Sequence, residues 1–474
     1  MESFQSLAID DVAARSAASL AVLDEDIMIM IFDLLFKRQE SARRMIQQDD
    51  KVTERMYQPH KWRLVCRQWD QILIPIVYAK VDSGYKAFQH KLDPEDETYQ
   101  RILMHIRQNA RHVTVHVGDI PRSDKKFKHE DTVKILSECG RLKSITCHFT
   151  PLRGKKAMQK VGEVTEIPEI VYDAFLERPD VQVLFDCPSI CNPVFPQGFQ
   201  NLVSIDVALY MCDSNLQSCL VDSPNIQKLH LKSLDRYAFK VSEGRLPPLK
   251  ELKLWNYQWS HSPSDTALIW DFSKLETLIL LSKKQNSNRA FLVSALSQQF
   301  PQLKKVDCRN PTPFSYTFPP SPNIELGEFI VILPQLEDLT IFEFSPAALV
   351  PFIAKVGPGL KKLRMQVGTD NVLRTKDLQE VQKSCPNIET LGVHRDPAAD
   401  QADVSWLFIL CQFEKLSWLK LEYRSRHHKM STADGKRDYH YVLQHKRGTP
   451  LLKFQFVGIN SGRRFEPELM ACVP

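Results

Sequence analysis

The chain has 474 residues, of which 43% are hydrophobic and 25% are charged, and its formal net charge is +5. This composition is typical of folded proteins and excludes a mainly disordered chain. So small a net charge gives no reason to expect nucleic acid as a partner. The longest apolar run near the N-terminus, residues 27–32, is far shorter than the roughly 20 residues that cross a bilayer. We therefore expect no membrane span.

The first 20 residues lack a basic segment followed by an apolar core, so a secretory signal is not expected. The predicted location is cytoplasmic and/or nuclear. In that setting the 11 cysteines are predicted to be reduced thiols. The tightest group, Cys187, Cys191, Cys212 and Cys219, does not have the spacing of a zinc knuckle. No metal site is predicted.

Residues 1–22 are predicted to be an N-terminal tail, followed by a helix that begins near Leu23. Asp24 suits the N-cap of this helix, because its carboxylate accepts hydrogen bonds from the free amides of the first turn. Residues 27–36 are apolar on nearly every face. A helix of that kind must be buried on all sides, which a module of about 60 residues cannot do alone. The pattern therefore predicts a partner surface.

A second amphipathic helix is predicted over residues 61–73, where Trp62, Val65, Trp69 and Ile72 fall on one face. Core packing alone explains that spacing. Residues 64–69, Leu-Val-Cys-Arg-Gln-Trp, also resemble the most characteristic stretch of the F-box, and residues 76–81 look like the exit segment common in fungal members. A repeat array follows downstream, which is the context that such a short motif requires.

The resemblance implies an F-box over residues 23–81 with a charged insert near residues 37–60. In that family the F-box binds the Skp adaptor, and through it the cullin scaffold of a ubiquitin ligase. Asp24 stands where the family usually has proline, and the insert is a second departure. The adaptor-binding positions implied by the resemblance are Leu23, Ile27, Ile31, Leu64, Val65 and Trp69.

Residues 82–130 are predicted to be a connecting or capping segment. Its basic cluster, residues 122–129, contains one aromatic residue, Phe127. Surfaces that bind single-stranded nucleic acid interleave several aromatic rings with basic residues. A solvated loop is the preferred interpretation, and nucleic acid binding is disfavoured.

From Leu142 onward a short pattern recurs, in which one apolar residue is followed by others three and five positions later. This is the strand signature of a leucine-rich repeat. The successive starts from Leu202 to Leu451 are separated by 23 to 35 residues, against the roughly 20 to 29 residues expected of this repeat class. The signatures are Leu142/Ile145/Cys147, Leu202/Ile205/Val207, Ile226/Leu229/Leu231, Leu249/Leu252/Leu254, Leu275/Leu278/Leu280, Leu303/Val306/Cys308, Leu336/Leu339/Ile341, Leu360/Leu363/Met365, Ile388/Leu391/Val393, Leu416/Leu419/Leu421 and Leu451/Phe454/Phe456.

Another apolar residue or cysteine stands three positions before most of these starts, and proline often follows it. Because proline cannot continue a helix and favours an extended residue before it, it marks the place where a helix ends and a strand approaches. Residues 291–299 and 377–384 have apolar residues at helical spacing, so each repeat is predicted to be a strand plus a helix. These preceding residues are Cys139, Phe199, Leu246, Phe272, Phe300, Leu333, Cys385 and Phe413.

Residues 385–393, Cys-Pro-Asn-Ile-Glu-Thr-Leu-Gly-Val, resemble the cysteine-containing leucine-rich repeats that commonly accompany F-boxes. The predicted fold class is α/β: an all-helical F-box, then an irregular leucine-rich-repeat solenoid over residues 131–474. Parallel strands are expected on its concave face and helices on its convex face. Loops are predicted near residues 311–322 and 424–447, the latter as an exposed excursion with at most a short helix. Between residues 151 and 198 there is room for two degenerate repeats.

The sequence contains no phosphate-binding glycine loop, no His-Glu-x-x-His helix and no Gly-x-Ser-x-Gly elbow. His427, His428, His440 and His445 lack a carboxylate or cysteine at ligand spacing, so solvated loop histidines are the preferred interpretation. No catalytic residue and no cofactor are predicted.

Residues that alternate with the buried leucines are expected on the concave face. That set is basic and contains aromatic residues of the types that dominate binding hot spots, so an acidic or phosphorylated protein target is predicted. The expected function is the substrate-recognition subunit of an SCF-type ubiquitin ligase; the alternative is a non-degradative repeat scaffold with a vestigial F-box. The predicted target-binding residues are Lys228, Lys253, Trp255, Lys305, Arg309, Phe342, Lys362, Arg364, Trp418 and Lys420.

Overall fold

The computed structural model describes most of the chain from Lys80 onward, as two compact units. Unit 1 comprises Met1–Thr150 and Glu166–Leu184, and unit 2 comprises Pro151–Thr165 and Phe185–Pro474. The described residues are 74, 78–82, 97–117, 133, 136–149, 164–166, 169–187, 192–194, 199–209, 214–233, 244–282, 285–309, 324–344, 346–367, 373–395, 404–424, 432–460, 463–464 and 468–471. The six predicted adaptor-binding residues, Leu23, Ile27, Ile31, Leu64, Val65 and Trp69, lie outside them.

Unit 1 is built from parallel strands joined by helices. Its strands β1, β2 and β3 pair in parallel without a register shift, and Ile106 of helix α1 is fully buried. Helix α1 and strand β2 fall within the predicted connecting segment, residues 82–130, so this segment is itself built like a repeat. The elements are β1 Lys80–Asp82, α1 Glu97–Asn109, β2 His112–Val117, β3 Ser144–Phe149 and α2 Glu169–Leu176.

The described residues between 151 and 198 contain one helix followed by one strand of the repeat sheet. Helix α2 leads into strand β5, Gln182–Cys187, within which the chain passes from unit 1 to unit 2. Strands β4, Val164–Glu166, and β6, Asn192–Val194, form a separate two-stranded sheet. Among the residues that the structure describes here, α2 with β5 is the single strand–helix unit, whereas the length of the stretch leaves room for two degenerate repeats.

Unit 2 contains ten consecutive parallel strands, β7 to β16. The predicted signatures are confirmed as strands, ten in unit 2 and one as β3 of unit 1. The strands are β7 Leu202–Leu209, β8 Lys228–Ser233, β9 Glu251–Trp255, β10 Thr277–Leu281, β11 Lys305–Arg309, β12 Asp338–Phe344, β13 Lys362–Val367, β14 Thr390–Arg395, β15 Trp418–Arg424 and β16 Lys453–Asn460, followed by β17 Arg463–Arg464 and β18 Glu468–Ala471.

Helices connect most of these strands, as predicted, and neighbouring helices from α4 to α10 contact each other in chain order. Helix α4 shows why such short helices begin where they do. The Ser262 hydroxyl accepts a hydrogen bond from the Asp265 amide at 3.1 Å, and the Asp265 carboxylate accepts one from the Ser262 amide at 3.2 Å. The helices are α3 Ser214–Val221, α4 Pro263–Ile269, α5 Gln285–Ala295, α6 Ile324–Val331, α7 Pro346–Val356, α8 Thr375–Ser384, α9 Val404–Cys411 and α10 Thr432–His445.

The residue three positions before most strand signatures anchors a recurring turn. All eight predicted anchors are buried. In the β10 repeat the Leu275 amide donates to the Phe272 carbonyl at 3.1 Å, and the equivalent bond precedes β3, β7, β11, β14 and β15. Ser223 and Gly357 accept the same bond before β8 and β13. The turn therefore depends on the backbone, and the apolar side chain adds burial.

A second backbone feature keeps the repeats in register. The Glu276 carbonyl accepts hydrogen bonds from the amides of Lys304 and Lys305, both at 3.0 Å, at the entrance to β11. The same doubled bond recurs at each following strand of unit 2 up to β16. A one-residue slip would break it and would turn the buried leucines outward. Outward-facing side chains consequently align in columns across the strands.

The prediction of an exposed excursion over residues 424–447 was wrong for its second half. Helix α10 has 14 residues, and its Val442 is fully buried. Gly435 lets the helix approach the sheet, since a Cβ there would lie 2.8 Å from the Phe456 ring. The segment's polar composition concealed this packing, because Asp438 is buried as well. The predicted loop at residues 311–322 lies outside the described residues.

In the part of the chain that the structure describes, no helix combines the length and the apolar character needed to span a membrane.

Candidate functional site

The side of the unit 2 sheet that faces away from the buried leucines is the candidate site, and we call it the open face. Strand pairing aligns its side chains in three columns. The first column contains Ser204, Lys228, Glu251, Thr277, Lys305, Asp338, Lys362, Thr390, Trp418 and Lys453. The second contains Asp206, His230, Lys253, Ile279, Asp307, Thr340, Arg364, Gly392, Lys420 and Gln455. The third includes Lys232, Trp255, Leu281, Arg309, Phe342, His394 and Glu422.

All ten predicted target-binding residues lie on the open face, but three of the predicted cations have carboxylate partners. Lys228 lies 3.7 Å from the Glu251 carboxylate. Lys420 lies 2.5 Å from the Glu422 carboxylate, on the same strand two positions later. The charges of these two lysines are partly neutralised, so they contribute less to the binding of an acidic ligand. The third case is Arg309.

Arg309 holds a buried carboxylate. Its guanidinium donates two hydrogen bonds to Asp307, from Nε at 2.6 Å and from Nη2 at 2.5 Å. Burial raises the pKa of the Asp307 carboxyl, and the Arg309 charge opposes that rise. The guanidinium also lies 5.7 Å from the centre of the Phe342 ring. Arg309 is therefore a structural residue at least as much as a binding residue, because an unpaired buried carboxylate would be costly.

Six cations of the open face have no ion pair within 4 Å among the described residues. Four of them surround two tryptophans. The Nζ atoms of Lys232 and Lys253 lie 4.5 and 6.0 Å from the centre of the Trp255 ring. These contacts hold the ammonium groups near an apolar surface by cation–π attraction without neutralising them. The six cations are Lys232, Lys253, Lys305, Lys362, Arg364 and Lys453.

The second tryptophan cluster spans four strands. The guanidinium carbon of Arg364 on β13 lies 5.1 Å from the centre of the Trp418 ring on β15. The Nζ atom of Lys453 on β16 lies 4.4 Å from the same centre. Between β13 and β15 lies Gly392 on β14, in register with Arg364. Arginine and lysine thus meet at one half-buried indole.

Sequence reasoning missed His230, which links three neighbouring strands. Its Nδ1 lies 3.0 Å from the Asp206 carboxylate, and its Nε2 lies 2.9 Å from the Glu251 carboxylate. Burial of the imidazole lowers its pKa, but the hydrogen bonds to the two carboxylates outweigh burial, and the pKa is raised overall. The hydrogen bond with His230 lowers the pKa of Glu251. The signal was present in the sequence. Aligning the strand signatures places His230 beside Asp206, and places Glu251 beside Lys228, two residues before His230.

We predict that His230→Gln lowers stability by about 1–2 kcal/mol at pH 6, because two charge-assisted hydrogen bonds are lost. A raised histidine pKa stabilises the folded chain fully below the ordinary value of 6.5 and ceases to do so as pH rises through the folded-state value. The lowered pKa of Glu251 stabilises the folded chain at pH values above 4.5, the ordinary pKa of a glutamate. The difference in stability between His230→Gln and wild type should therefore be largest between pH 4.5 and pH 6.5 and should shrink toward pH 8.

Thermal denaturation of both chains at several pH values measures this difference. His440→Gln, at an exposed position on α10, is the control for the loss of a histidine and should retain wild-type stability at pH 6. A His230→Gln deficit that is equal at pH 6 and pH 8 would contradict the assignment of a charged imidazole.

The cysteines offer no reactive thiol in the described residues. The seven free thiols there are all buried, and burial raises the pKa of Cys139 to about 11 and that of Cys219 and Cys385 to about 12. A protonated buried thiol is a poor nucleophile and a poor metal ligand. In the same residues no group of three or more His, Cys, Asp or Glu side chains is arranged to hold a metal ion.

Comparison with known protein families finds no match, and neither does comparison with curated protein sequences. Among solved structures, the chain is similar to the leucine-rich repeat-containing protein LegL7 from Legionella pneumophila, with 13% identity and a TM-score of 0.34, over 69% of this chain and 97% of that one. It is also similar to a chain of the TLR13–ssRNA13 complex, with 15% identity and a TM-score of 0.33, over 68% and 52% of the two chains. The leucine-rich-repeat architecture of unit 2 is evident from its own strands, turns and helices.

Proposed function

We propose that this chain is the target-recognition subunit of an SCF-type ubiquitin ligase, and that its open face binds an acidic segment of a target protein. The observation that carries the binding half is a set of six cations that have no ion pair among the described residues, four of them placed around two half-buried tryptophans. The adaptor half rests on the F-box resemblance of residues 64–69. The N-terminal module would bind the Skp adaptor and, through it, the cullin scaffold.

Charge and residue type support a protein as the ligand of the open face. In its three columns nine lysines and arginines stand against five aspartates and glutamates, so an acidic partner gains complementary electrostatics. Tryptophan and arginine are the residues on which binding energy concentrates in protein interfaces. Stacked repeats, in addition, present extended surfaces suited to long segments of a partner.

The proposal gives this chain no catalytic step. Its role is to hold the target while other subunits transfer ubiquitin.

The adaptor half is tested by pull-down with purified Skp adaptor. Trp69→Ala and Ile27→Asp are each expected to abolish binding. The first removes a large apolar contact, and the second places an unpaired charge in a desolvated interface.

Matched controls keep this test specific. Leu268→Asp introduces the same charge where the side chain is 72% exposed, and Phe408→Ala removes an aromatic ring that is 45% exposed. Both should bind adaptor as the wild type does. If folded Trp69→Ala and Ile27→Asp chains also retain wild-type binding, the F-box assignment fails.

Affinity purification from cells, with and without a proteasome inhibitor, separates a ligase receptor from a repeat scaffold. A receptor should recover adaptor and cullin, with acidic targets enriched when degradation is blocked. Recovery of neither adaptor nor cullin would contradict the proposal and favour the non-degradative scaffold.

A further inference from the structure

Arg364 reaches Trp418 by crossing an intervening strand. The register places Arg364 of β13 beside Gly392 of β14, and Gly392 beside Lys420 of β15. Trp418 stands two residues before Lys420 on that third strand. The guanidinium therefore passes over the Gly392 position to lie 5.1 Å from the centre of the indole. By comparison, Lys228 pairs with Glu251 and His230 with Asp206 on adjacent strands, and Lys420 pairs with Glu422 on its own strand.

Gly392 makes this crossing sterically feasible. A Cβ built at Gly392 would lie 3.1 Å from Cγ and 3.4 Å from Cβ of Arg364. The backbone of Gly392 does not require glycine, since Gly244 and Gly448 are the positive-φ glycines of the described chain. Glycine inside a strand weakens the strand and often marks the close approach of another group. Here that group is the arginine side chain.

The cluster carries more positive charge than its surroundings neutralise. Neither Arg364 nor Lys453 has an ion pair among the described residues, and Lys362 on the same face is also unpaired. Lys420, the nearest further cation in the columns, is held by Glu422 at 2.5 Å. At the other tryptophan, by contrast, the cations share their surroundings with Glu251, which lies two residues from Lys253 and 3.7 Å from Lys228. The Trp418 cluster is thus the stronger anion site of the two.

The chemistry of the cluster favours a phosphoryl group over a carboxylate. A phosphorylated side chain carries a charge of about −1.5 to −2 near pH 7 and has three strong acceptor oxygens. Two cations converge here on one ring, and no described residue accepts a hydrogen bond from the Arg364 guanidinium. A guanidinium stacked on an indole keeps its edge N–H donors available, and these match phosphate oxygens in pairs.

We propose that Arg364, Trp418 and Lys453 form a binding site for a phosphorylated serine or threonine of a partner protein, and that Gly392 is the specificity-determining residue that makes the site. This rests on the proposed use of the open face for acidic protein segments and narrows it to one point of contact. The indole holds both cations in place before the ligand arrives, which reduces the entropy lost on binding.

Fluorine NMR of the full chain labelled with 5-fluorotryptophan tests the site. The probe is the blocked tripeptide Ala-phosphoserine-Ala, compared with Ala-Glu-Ala and Ala-Ser-Ala. Trp418→Phe and Trp255→Phe assign the two open-face resonances. The phosphopeptide should shift the Trp418 resonance saturably, with an affinity at least about tenfold above that of the glutamate peptide, since one lost charge-assisted hydrogen bond is worth about that factor.

Gly392→Ala is the decisive variant, because it changes no charge. It should weaken phosphopeptide binding at Trp418 at least about tenfold, since the added methyl would press on Cγ of Arg364 and move the guanidinium from its place at the indole. Alanine is better tolerated than glycine inside a strand, so thermal stability should be retained. Gly140→Ala, where a Cβ would meet no atom within 4 Å, is the matched control and should bind as the wild type does.

Unchanged binding by Gly392→Ala would overturn the proposed site. Equal affinity for the glutamate peptide would overturn its phosphate specificity. Equal shifts of the Trp255 and Trp418 fluorine resonances would overturn the proposed site, because they would indicate general attraction of the peptide to a basic face. Because the probe is a short peptide and no adaptor is present, none of these outcomes bears on the adaptor test of the proposed function.

Discussion

Replacement of Lys305, Lys362, Arg364 and Lys453 with glutamate is expected to eliminate target capture and to leave adaptor binding intact. These four cations on β11, β13 and β16 have no ion pair in the part of the chain that the structure describes, and Lys453 and Arg364 also flank Trp418. Each substitution replaces an attraction to an acidic ligand with a repulsion, and like charges facing each other across an interface cost several kcal/mol. Capture should therefore fall by at least about a hundredfold.

Arg309 is left unchanged in this variant for a structural reason. Its guanidinium neutralises Asp307, whose side chain is only 6% exposed. Glutamate at Arg309 would place a second carboxylate beside a buried one, and the resulting loss of stability would be confused with a loss of binding. The four chosen residues have no such partner among the described residues, so the folded state should tolerate their reversal.

The control carries the same charge change on other parts of unit 2. Lys274, Lys376, Lys383 and Lys436 are exposed, and three of them lie on helices α8 and α10. Reversal of either set changes the formal net charge from +5 to −3, because each of the four substitutions changes it by two. The measurement is quantitative mass spectrometry of proteins recovered with each variant. Equal recovery of targets by both variants would show that the open face is not the receptor surface.

The strands and turns of the fold were predictable from the sequence because every repeat buries residues at the same positions of its strand. The second residue of each signature, such as Leu278 or Leu391, is fully buried. The period of the buried positions identifies the strand. The anchor before the strand was predictable for the same reason. Where the anchor is Ser223 or Gly357, the apolar signal is missing, yet the turn forms through its backbone hydrogen bond.

Helix α10 was not predictable, because its packing depends on residues that composition classifies as polar or small. Asp438 is buried and Gly435 lies against Phe456. Val442 is fully buried, but the only aliphatic residue beside it, Leu443, is 44% exposed, and the rest of residues 436–445 are polar, charged or tyrosine. An amphipathic pattern with so few apolar positions is indistinguishable from that of a solvated loop.

The open face was predicted as a set of residues but not as a set of contacts. The alternation of each strand assigns Arg309 and Lys420 to the face, but it does not show that Asp307 and Glu422 neutralise them from two positions away on the same strand. Contacts between strands need the register as well. The crossing of Arg364 over Gly392 involves three strands separated by long stretches of sequence, and only their alignment reveals it.

A chain ending after Gly435 is expected to be insoluble or to self-associate. The truncation removes most of α10 and all of β16 to β18. Strand β15 would lose its parallel partner over seven register pairs, from Trp418 with Lys453 to Arg424 with Ile459. An unpaired edge strand of that length is a template for pairing with other chains. The loss of Val442 also uncovers the end of α9, where Cys411 donates to the Val442 carbonyl at 3.9 Å.

After β16 the parallel stack is followed by antiparallel pairing. Strand β18 runs antiparallel to β16, with Phe454 opposite Met470, so the last parallel strand is covered by a short strand of opposite direction. Two further truncations separate these contributions. A chain ending after Asn460 loses only β17 and β18 and should associate less than the Gly435 truncation, because α10 and β16 remain. Removal of residues 1–20 should leave the association state unchanged.

Size-exclusion chromatography with light scattering measures the mass of each product. The Gly435 truncation should self-associate most and the Asn460 truncation less. The wild type and the chain lacking residues 1–20 should self-associate least. A monomeric, soluble Gly435 truncation with a wild-type melting profile would mean that the β15 repeat closes the stack by itself. The cohesion of unit 2 would then not depend on each repeat covering the edge of the one before it.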